Sequence, residues 1–315
     1  MARVSRRQFA LSLVAAGAAT ACQSRRVVTP GGTPSPRTVA ELWVDPGTTR
    51  DLFHGVGGAR LAPDPEAAYT VIEVKVGGFS DGYTVVGPGD REWSAKFPPE
   101  ASTEIVTSRL LWGIGYHQPP AYFLREWHAE GADRPNPQLP ARFREKKPDL
   151  RGLDAVGEWS YYEHPLVGTP QLSGLLVLQA MLGNSDLKDS NNTIYELDGA
   201  LEGASRWYVA RDVGHTFGRT GKLDAPRGDV RVFESTPFIR EVRGERVALH
   251  YGGRHASLFE QITRADVRWI CTRLGRLTDR QWADAFRAGG YEPGVAGRFI
   301  GSLKSKIDEG LAATR

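Results

Sequence analysis

Cysteine is nearly absent. Two occur in 315 residues, Cys22 and Cys271, so a disulfide would have to join these two across most of the chain, and no Cys/His set has the spacing of a zinc site. Cys271, in Trp269-Ile270-Cys271, reads as a small buried apolar residue in a helix. Charge of one sign is not in excess either. Forty basic residues stand against 37 acidic ones, for a formal net charge of +3. No basic stripe with interleaved aromatics occurs, which argues against a nucleic-acid partner. Internal repeats are missing, and there is no low-complexity block beyond residue 40. Gly55-x-Gly57-Gly58 does not sit between a strand and a helix, so it is not read as dinucleotide-binding.

What is present is ordinary for a globular protein, with 40% hydrophobic and 24% charged residues. The length suits one two-lobed domain or two modest ones. The first 21 residues follow the grammar of an export signal: a basic start, an apolar run from Phe9 to Ala21 too short to span a bilayer as an anchor, and small residues before a cleavage point. Ser5-Arg6-Arg7-Gln8-Phe9 resembles the twin-arginine address, whose pathway carries folded cargo. Cys22 fits a lipidation box, although Ala19 stands where that box usually has Leu; simple secretion is the rival reading. Residues 22–40 read as a tether rich in Pro, Gly, Ser and Thr. The expectation is an exported periplasmic or envelope protein that meets a membrane only through a lipid on Cys22.

Beyond the tether, three strands are predicted over Tyr69–Lys75, Tyr83–Val86 and Glu92–Phe97. The glycine loop Gly77-Gly78-Phe79-Ser80-Asp81-Gly82 separates the first two. Pro98 and Pro99 end the third strand, and a helix opens at Glu100 and closes at Gly113 and Gly115. Residues 128–160 are polar and Pro-rich, read as a connection or insertion. A helix is predicted from Thr169 through Leu182, then strands over Thr193–Leu197 and Arg206–Ala210 joined by a loop over Asp198–Ser205. The tail from Leu258 to Leu311 reads as helix broken at Gly275 and at Gly289–Gly294.

Four groups carry possible chemistry. Lys96 on the third strand and Glu104 on the next helix form a lysine–carboxylate pair of the kind that fixes an ammonium against phosphate oxygens. Gly77, Gly78, Ser80 and Gly82 let backbone N–H groups approach phosphates closely. In Gly183-Asn184-Ser185-Asp186-Leu187-Lys188-Asp189-Ser190-Asn191, Asp186 would act as base, Lys188 would contact the transferred phosphate and Asn191 would hold Mg²⁺. Asp212, in Arg211-Asp212-Val213-Gly214-His215, would be the second Mg²⁺ ligand. Each has a bland alternative: a solvated strand lysine, a hairpin connection, and two polar turns. His215 itself reads as structural. It is the order of the four groups along one chain that turns weak signals into a stronger one.

These residues resemble the protein-kinase-like superfamily in its atypical branches. Asn184-Ser185-Asp186-x4-Asn191 is similar to the catalytic loop of HipA-type kinases and to the Asp-x4-Asn loop of phosphoinositide kinases. Asp212-Val213-Gly214-His215 is similar to the Asp-Phe-Gly-His run of phosphoinositide 3-kinases. Asp186-Leu187-Lys188 resembles ordinary serine/threonine kinases, and Lys96-Phe97-Pro98-Pro99 with Gly115 and Pro119-Pro120 downstream resembles the HipA-type approach to the hinge. Departures are the missing His-Arg before Asp186, Val213 in place of Phe, a longer hairpin between Asn191 and Asp212, and no activation-segment signature after Phe217. The resemblance implies an α+β, two-lobed kinase-like fold: an antiparallel-sheet N-lobe over 41–127, a connection over 128–165 and a mostly helical C-lobe over 166–315. It implies ATP and Mg²⁺ as cofactors and an unknown hydroxyl acceptor as partner. An envelope pseudokinase without turnover, and an unrelated lipoprotein carrying these motifs by coincidence, remain alternatives.

Overall fold

The computed structural model describes residues 33–76, 79–131, 140–221 and 226–315. The leader, Cys22, the first part of the expected tether, and Gly77 and Gly78 lie outside the described residues. The tether does not extend to residue 40. Pro36–Ala40 forms a short helix, α1, with Ser35 Oγ accepting from Thr38 N and proline in the first turn, where a missing N–H is harmless. Val39 and Ala40 pack against core residues, so the chain is anchored before residue 41.

The predicted meander is present as β1 (Ala68–Lys75), β2 (Gly82–Gly87) and β3 (Arg91–Lys96), antiparallel throughout. Strand alternation places Trp93 and Ala95 in the core and Ser94 and Lys96 on the opposite face. Helix α2 (Glu100–Gly113) follows a cis Pro98–Pro99 bond. It is buried on nearly every side, between strands and later helices. Its Arg109 is 2% exposed and donates to the carbonyls of Phe53 and Ala121. Gly55 makes room for that guanidinium: a Cβ there would lie 2.3 Å from Arg109 Nη1.

The expected connection over 128–165 is instead built into sheets. After β4 (Tyr122–Leu124), β5 (His128–Glu130) pairs in parallel with β1, and β6 (Ala141–Glu145) inserts between β3 and β4. The sheet therefore has six strands in the order β4-β6-β3-β2-β1-β5, with one parallel edge. The strand β7 (Asp154–Glu158) belongs to a second sheet. Proline-rich flanks mask three short strands in the sequence of this stretch. In β6, moreover, Arg142 and Arg144 alternate with apolar Ala141 and Phe143; Arg142 is buried and Arg144 half-buried, and both are ion-paired with Glu104.

Helix α3 (Pro170–Met181) opens on a Thr169 cap, and Gly183 beyond its end adopts positive φ (76°). It leads into β8 (Asn192–Leu201) and β9 (Ala204–Ala210), which with β7 make a three-stranded sheet. The loop expected over Asp198–Ser205 is a two-residue turn. Leu201 pairs with Ala204, and Glu202 and Gly203 both have positive φ, the backbone that suits the right-handed twist of a hairpin. Helix α4 (Val230–Ser235) and the hairpin β10 (Ile239–Arg243) and β11 (Arg246–Leu249) were not anticipated. The C-terminal segment is therefore not purely helical. The tail helices, α5 (Arg264–Leu274), α6 (Asp279–Ala288) and α7 (Pro293–Ala313), break where expected. Among the described residues, no helix is long and apolar enough to cross a membrane.

The larger core is aromatic at its centre. Phe217 is fully buried, with ring centroids 5.3–5.5 Å from Phe233, Phe286 and Phe299. Phe217→Ala is expected to lower unfolding stability by about 3–5 kcal/mol, the loss of transfer energy plus a cavity. Denaturant titration checks this; a loss below about 1 kcal/mol would mean that the cluster can collapse onto the gap.

Candidate functional site

The site begins at the end of β3. Lys96 Nζ donates to Glu104 Oε2 at 3.1 Å and to Asp212 Oδ1 at 2.6 Å, and lies 2.9 Å from Glu100 Oε2. Glu100 and Glu104 are one turn apart on α2, so one helix face presents both. Burial alone would lower the lysine pKa. The negative charges of Glu104, Asp212 and Glu100 outweigh it and raise that pKa, so the ammonium stays charged. Burial likewise opposes the Glu104 carboxylate, and Arg142, Lys96 and Arg144 hold its pKa far below the usual range. Arg142 Nε lies 3.1 Å from Glu104 Oε1, Arg144 Nη1 donates to it at 3.4 Å, and Arg227 Nε is 3.0 Å from Glu100 Oε1.

The second half is assembled by the β8–β9 hairpin. Asn191 immediately precedes β8, and Asp212 follows β9 by two residues. Asn192 pairs with Ala210, and Arg211 N donates to Asn191 O at 2.9 Å. Twenty-one residues apart in sequence, the amide and the carboxylate are thus brought to the same end of one ladder. Asp212 sits at φ 55°, a left-handed conformation that aspartate tolerates better than most residues.

Asp186 is held by the turn after α3. Its N–H donates to Asn184 Oδ1 at 2.9 Å, and Asn184 Nδ2 donates to Gln179 Oε1 at 2.9 Å. Asn191 Nδ2 donates to Asp186 O at 2.8 Å and to Oδ2 at 3.3 Å; Lys188 Nζ is 2.7 Å from Oδ2 and Arg254 Nε is 3.0 Å from Oδ1. Burial raises the Asp186 pKa, but Lys188, Asn191 and Arg254 bring it below the usual carboxylate value. The halves meet around Arg227 and His215. Arg227 feels the charges of Glu100, Asp186 and Asp212, and its Nη2 donates to His215 Nδ1 at 2.7 Å. His215, 3% exposed, feels Asp186 and Lys188 in turn.

Of the expected residues, Lys96 contacts both Glu104 and Asp212, and Asp186 contacts both Lys188 and Asn191; Arg227, paired with Glu100 and bonded to His215, is within electrostatic reach of both groups. Gly77 and Gly78 lie outside the described residues. Ser80 Oγ is buried with no hydrogen-bond partner among the described residues. Gly82 pairs with Lys96 in register, where a Cβ would lie 2.3 Å from Ala95 O. Beside it the Phe79 ring centroid is 3.3 Å from Arg227 Cζ. Glu100, Arg142, Arg144 and Arg227 were not anticipated. Glu100 was findable from its i, i+4 spacing to Glu104; the arginines come from distant segments and had no local signal.

The residues fit the implied metal and nucleotide. Asn191 turns its Nδ2 toward Asp186, which leaves its Oδ1 as a hard oxygen donor at the end of the ladder that also carries Asp212. Mg²⁺ characteristically takes one or two protein carboxylates and completes its shell with water and phosphate. Among the described residues no cluster of three His, Cys, Asp or Glu side chains forms an all-protein metal cage.

No protein-family model matches the chain, and no curated protein matches it. Among solved structures the chain is similar to the crystal structure of a Helicobacter pylori proinflammatory kinase, CtkA. Identity is 11% over 79% of this chain and 96% of that one, with a TM-score of 0.44.

Two buried histidines set an acid limit. Burial holds His164 near a pKa of about 4; burial and then the charge of Arg227 do the same for His215. Both values lie below the ordinary 6.5, so the unfolded chain takes up these protons first. Stability is therefore full above about pH 6.5 and declines toward pH 4, by roughly 3 kcal/mol at most for each histidine. His164 Nδ1 accepts from Leu166 N, a bond that an asparagine oxygen can replace. His164→Asn is expected to remove about half of the decline between pH 6.5 and 4 in denaturant midpoints. An unchanged slope would contradict the assignment.

Proposed function

We propose that this chain is a Mg²⁺-dependent phosphotransferase with a two-lobed, kinase-like arrangement, which moves the terminal phosphoryl group of ATP to a hydroxyl acceptor. The observation that carries the reading is the 2.6 Å contact between Lys96 Nζ and Asp212 Oδ1, 116 residues apart, with Glu104 on the same ammonium. Lys96, held by α2, supplies a fixed positive charge to the nucleotide phosphates. Ser80 and Gly82 would meet them from the strand side. Asn191 and Asp212 would hold the metal, which when bound neutralises charge on the phosphate oxygens. Lys188 steadies the group in transfer. Asp186 orients the acceptor hydroxyl and takes its proton as the oxygen attacks phosphorus.

A second reading, a nucleotide-binding module without turnover, is favoured by one feature: both working carboxylates are covered by cations, Asp212 by Lys96 and Asp186 by Lys188 and Arg254. Thermal shift and phosphate transfer separate the two. MgATP at about a hundred times its Kd is expected to stabilise the chain by about 2.7 kcal/mol, and Asp212→Ala is expected to abolish this. Asp186→Ala is expected to keep the shift and lower transfer by about 10²–10⁴-fold. Shift without transfer in the parent chain selects the second reading, and no shift defeats both.

The reading includes export, which rests on the sequence of residues 1–22. Export sets a difficulty for the donor, because ATP is scarce outside the cytoplasm; a pathway for folded cargo would allow nucleotide to leave already bound. Replacing both Arg6 and Arg7 with Lys is expected to retain the chain in the cytoplasm on fractionation, whereas unchanged export would refute the twin-arginine assignment.

A further inference from the structure

Asp186 is covered on both oxygens, and the two covers differ in origin. Lys188 belongs to the same loop. Arg254 arrives from a separate segment, 250–255, that is stitched onto the loop: Arg254 N donates to Ser185 O at 2.9 Å and Tyr251 Oη donates to Arg254 O at 2.7 Å. Gly253 permits the approach, since a Cβ there would lie 2.5 Å from Ser185 Cα. Thr220 adds a third strand of the stitching, accepting from Gly252 N at 3.1 Å while Ser185 Oγ accepts from Gly221 N at 2.9 Å. The backbone of Arg254 is thus fixed while its side chain is 46% exposed. Among the described residues, only its Nε lies against a carboxylate, at 3.0 Å from Asp186 Oδ1, and its two terminal nitrogens make no hydrogen bond.

A guanidinium 3.0 Å from Asp186 Oδ1 occupies the place an acceptor hydroxyl needs until it moves away. An exposed fork with two unused nitrogens is suited to a phosphate or carboxylate, which it binds bidentately. We propose that Arg254 selects the acceptor: an alcohol that carries a phosphate oxyanion close to the hydroxyl, toward which Arg254 turns from Asp186 as the acceptor enters. The inference rests on the phosphotransferase reading above. In the step that follows, the acceptor oxygen bonds to the terminal phosphorus of ATP. The bond from that phosphorus to the bridging oxygen breaks, the electron pair leaves with ADP, and the hydroxyl proton passes to Oδ1 of Asp186, which Arg254 has vacated. An acceptor without the anion leaves the cover in place, and water, which has no anion either, is excluded as a wasteful acceptor by the same device.

The test uses the full chain with MgATP. Arg254→Gln is expected to raise hydrolysis of ATP by water on the order of tenfold, part of the 10²–10⁴ that a positioned base supplies. Asp186→Asn added to it is expected to abolish the gain, and Arg254→Lys to keep hydrolysis low. An arginine that only braces the loop gives slower hydrolysis in Arg254→Gln, so an unchanged or slower rate overturns the proposal. Transfer is then compared on glycerol, on glycerol 3-phosphate and on phosphatidylglycerol vesicles. The expectation is a preference of at least tenfold for one phosphate-bearing alcohol, lost in Arg254→Gln; the soluble compound or the vesicle identifies a free metabolite or a lipid headgroup as its source. Equal rates on all three, or transfer to none, overturn it. Where the parent chain shows MgATP-dependent stabilisation that Asp212→Ala removes, such a failure strikes this inference alone; where it shows no MgATP binding, the phosphotransferase reading falls first.

Discussion

One ammonium joins three parts of the chain, two of which are also tied by the Thr103–Gly214 and Thr107–Thr216 hydrogen bonds. Lys96 ends a strand, Glu100 and Glu104 lie on the following helix, and Asp212 comes from the far end of the β8–β9 hairpin. A charged amine placed in this partly enclosed position is unfavourable unless carboxylates surround it, and each carboxylate needs a further cation in turn. Arg142 and Arg144 answer Glu104, and Arg227 answers Glu100. Strand β6, which carries two of these arginines, and the segment after Phe217, which carries the third, are positioned by this requirement as much as by apolar packing. Asp212 is the exception: Lys96 is its partner and its side chain is 46% exposed, so it is the carboxylate of the three that a ligand can claim without leaving a buried cation unpaired.

Much of this was legible in the sequence, and the reasons are specific. The meander β1–β3 follows from a β-branched first run, Gly and Pro turns, and period-two alternation in β3, and α2 from a helical apolar pattern that opens after Pro99. Lys96, Glu104, Asp186, Asn191 and Asp212 could be named because their types and order suit a phosphate site, and the structure brings Lys96 into contact with both Glu104 and Asp212. The stretch over 128–165 was misread because Arg142 and Arg144 look like solvent-facing residues until Glu104, some forty positions earlier, is known to lie against them. The hairpin β10–β11 was missed because Ile239-Arg240-Glu241-Val242-Arg243 carries three charged side chains in five positions. Arg254 lies in the Gly-bounded turn over 250–255, whose sequence suggests a turn that could contribute to substrate binding but not which partner Arg254 meets; Gly253 explains itself only once Ser185 is seen beneath it.

The two carboxylates named for chemistry are treated differently by their surroundings. Asp212 is covered by a lysine that has two other partners, so uncovering it leaves Lys96 still paired. Asp186 is covered by Lys188, its neighbour in the same loop, and by Arg254 from a separate one. The first arrangement suits a group that binds a metal, the second a group that should work only when something else is present. The buried, neutral His215 has its Nδ1 accepting from Arg227, which keeps a second positive charge away from Lys188.

The central claim is that Lys96 and Asp212 hold the two halves of the site together. A double-mutant cycle with Lys96→Met and Asp212→Asn, read as unfolding free energies of the unliganded chain, isolates their mutual term from what each does alone. The account expects a coupling of at least about 1 kcal/mol. Additive effects, with no coupling beyond a few tenths of a kcal/mol, would mean that the halves are held by other contacts.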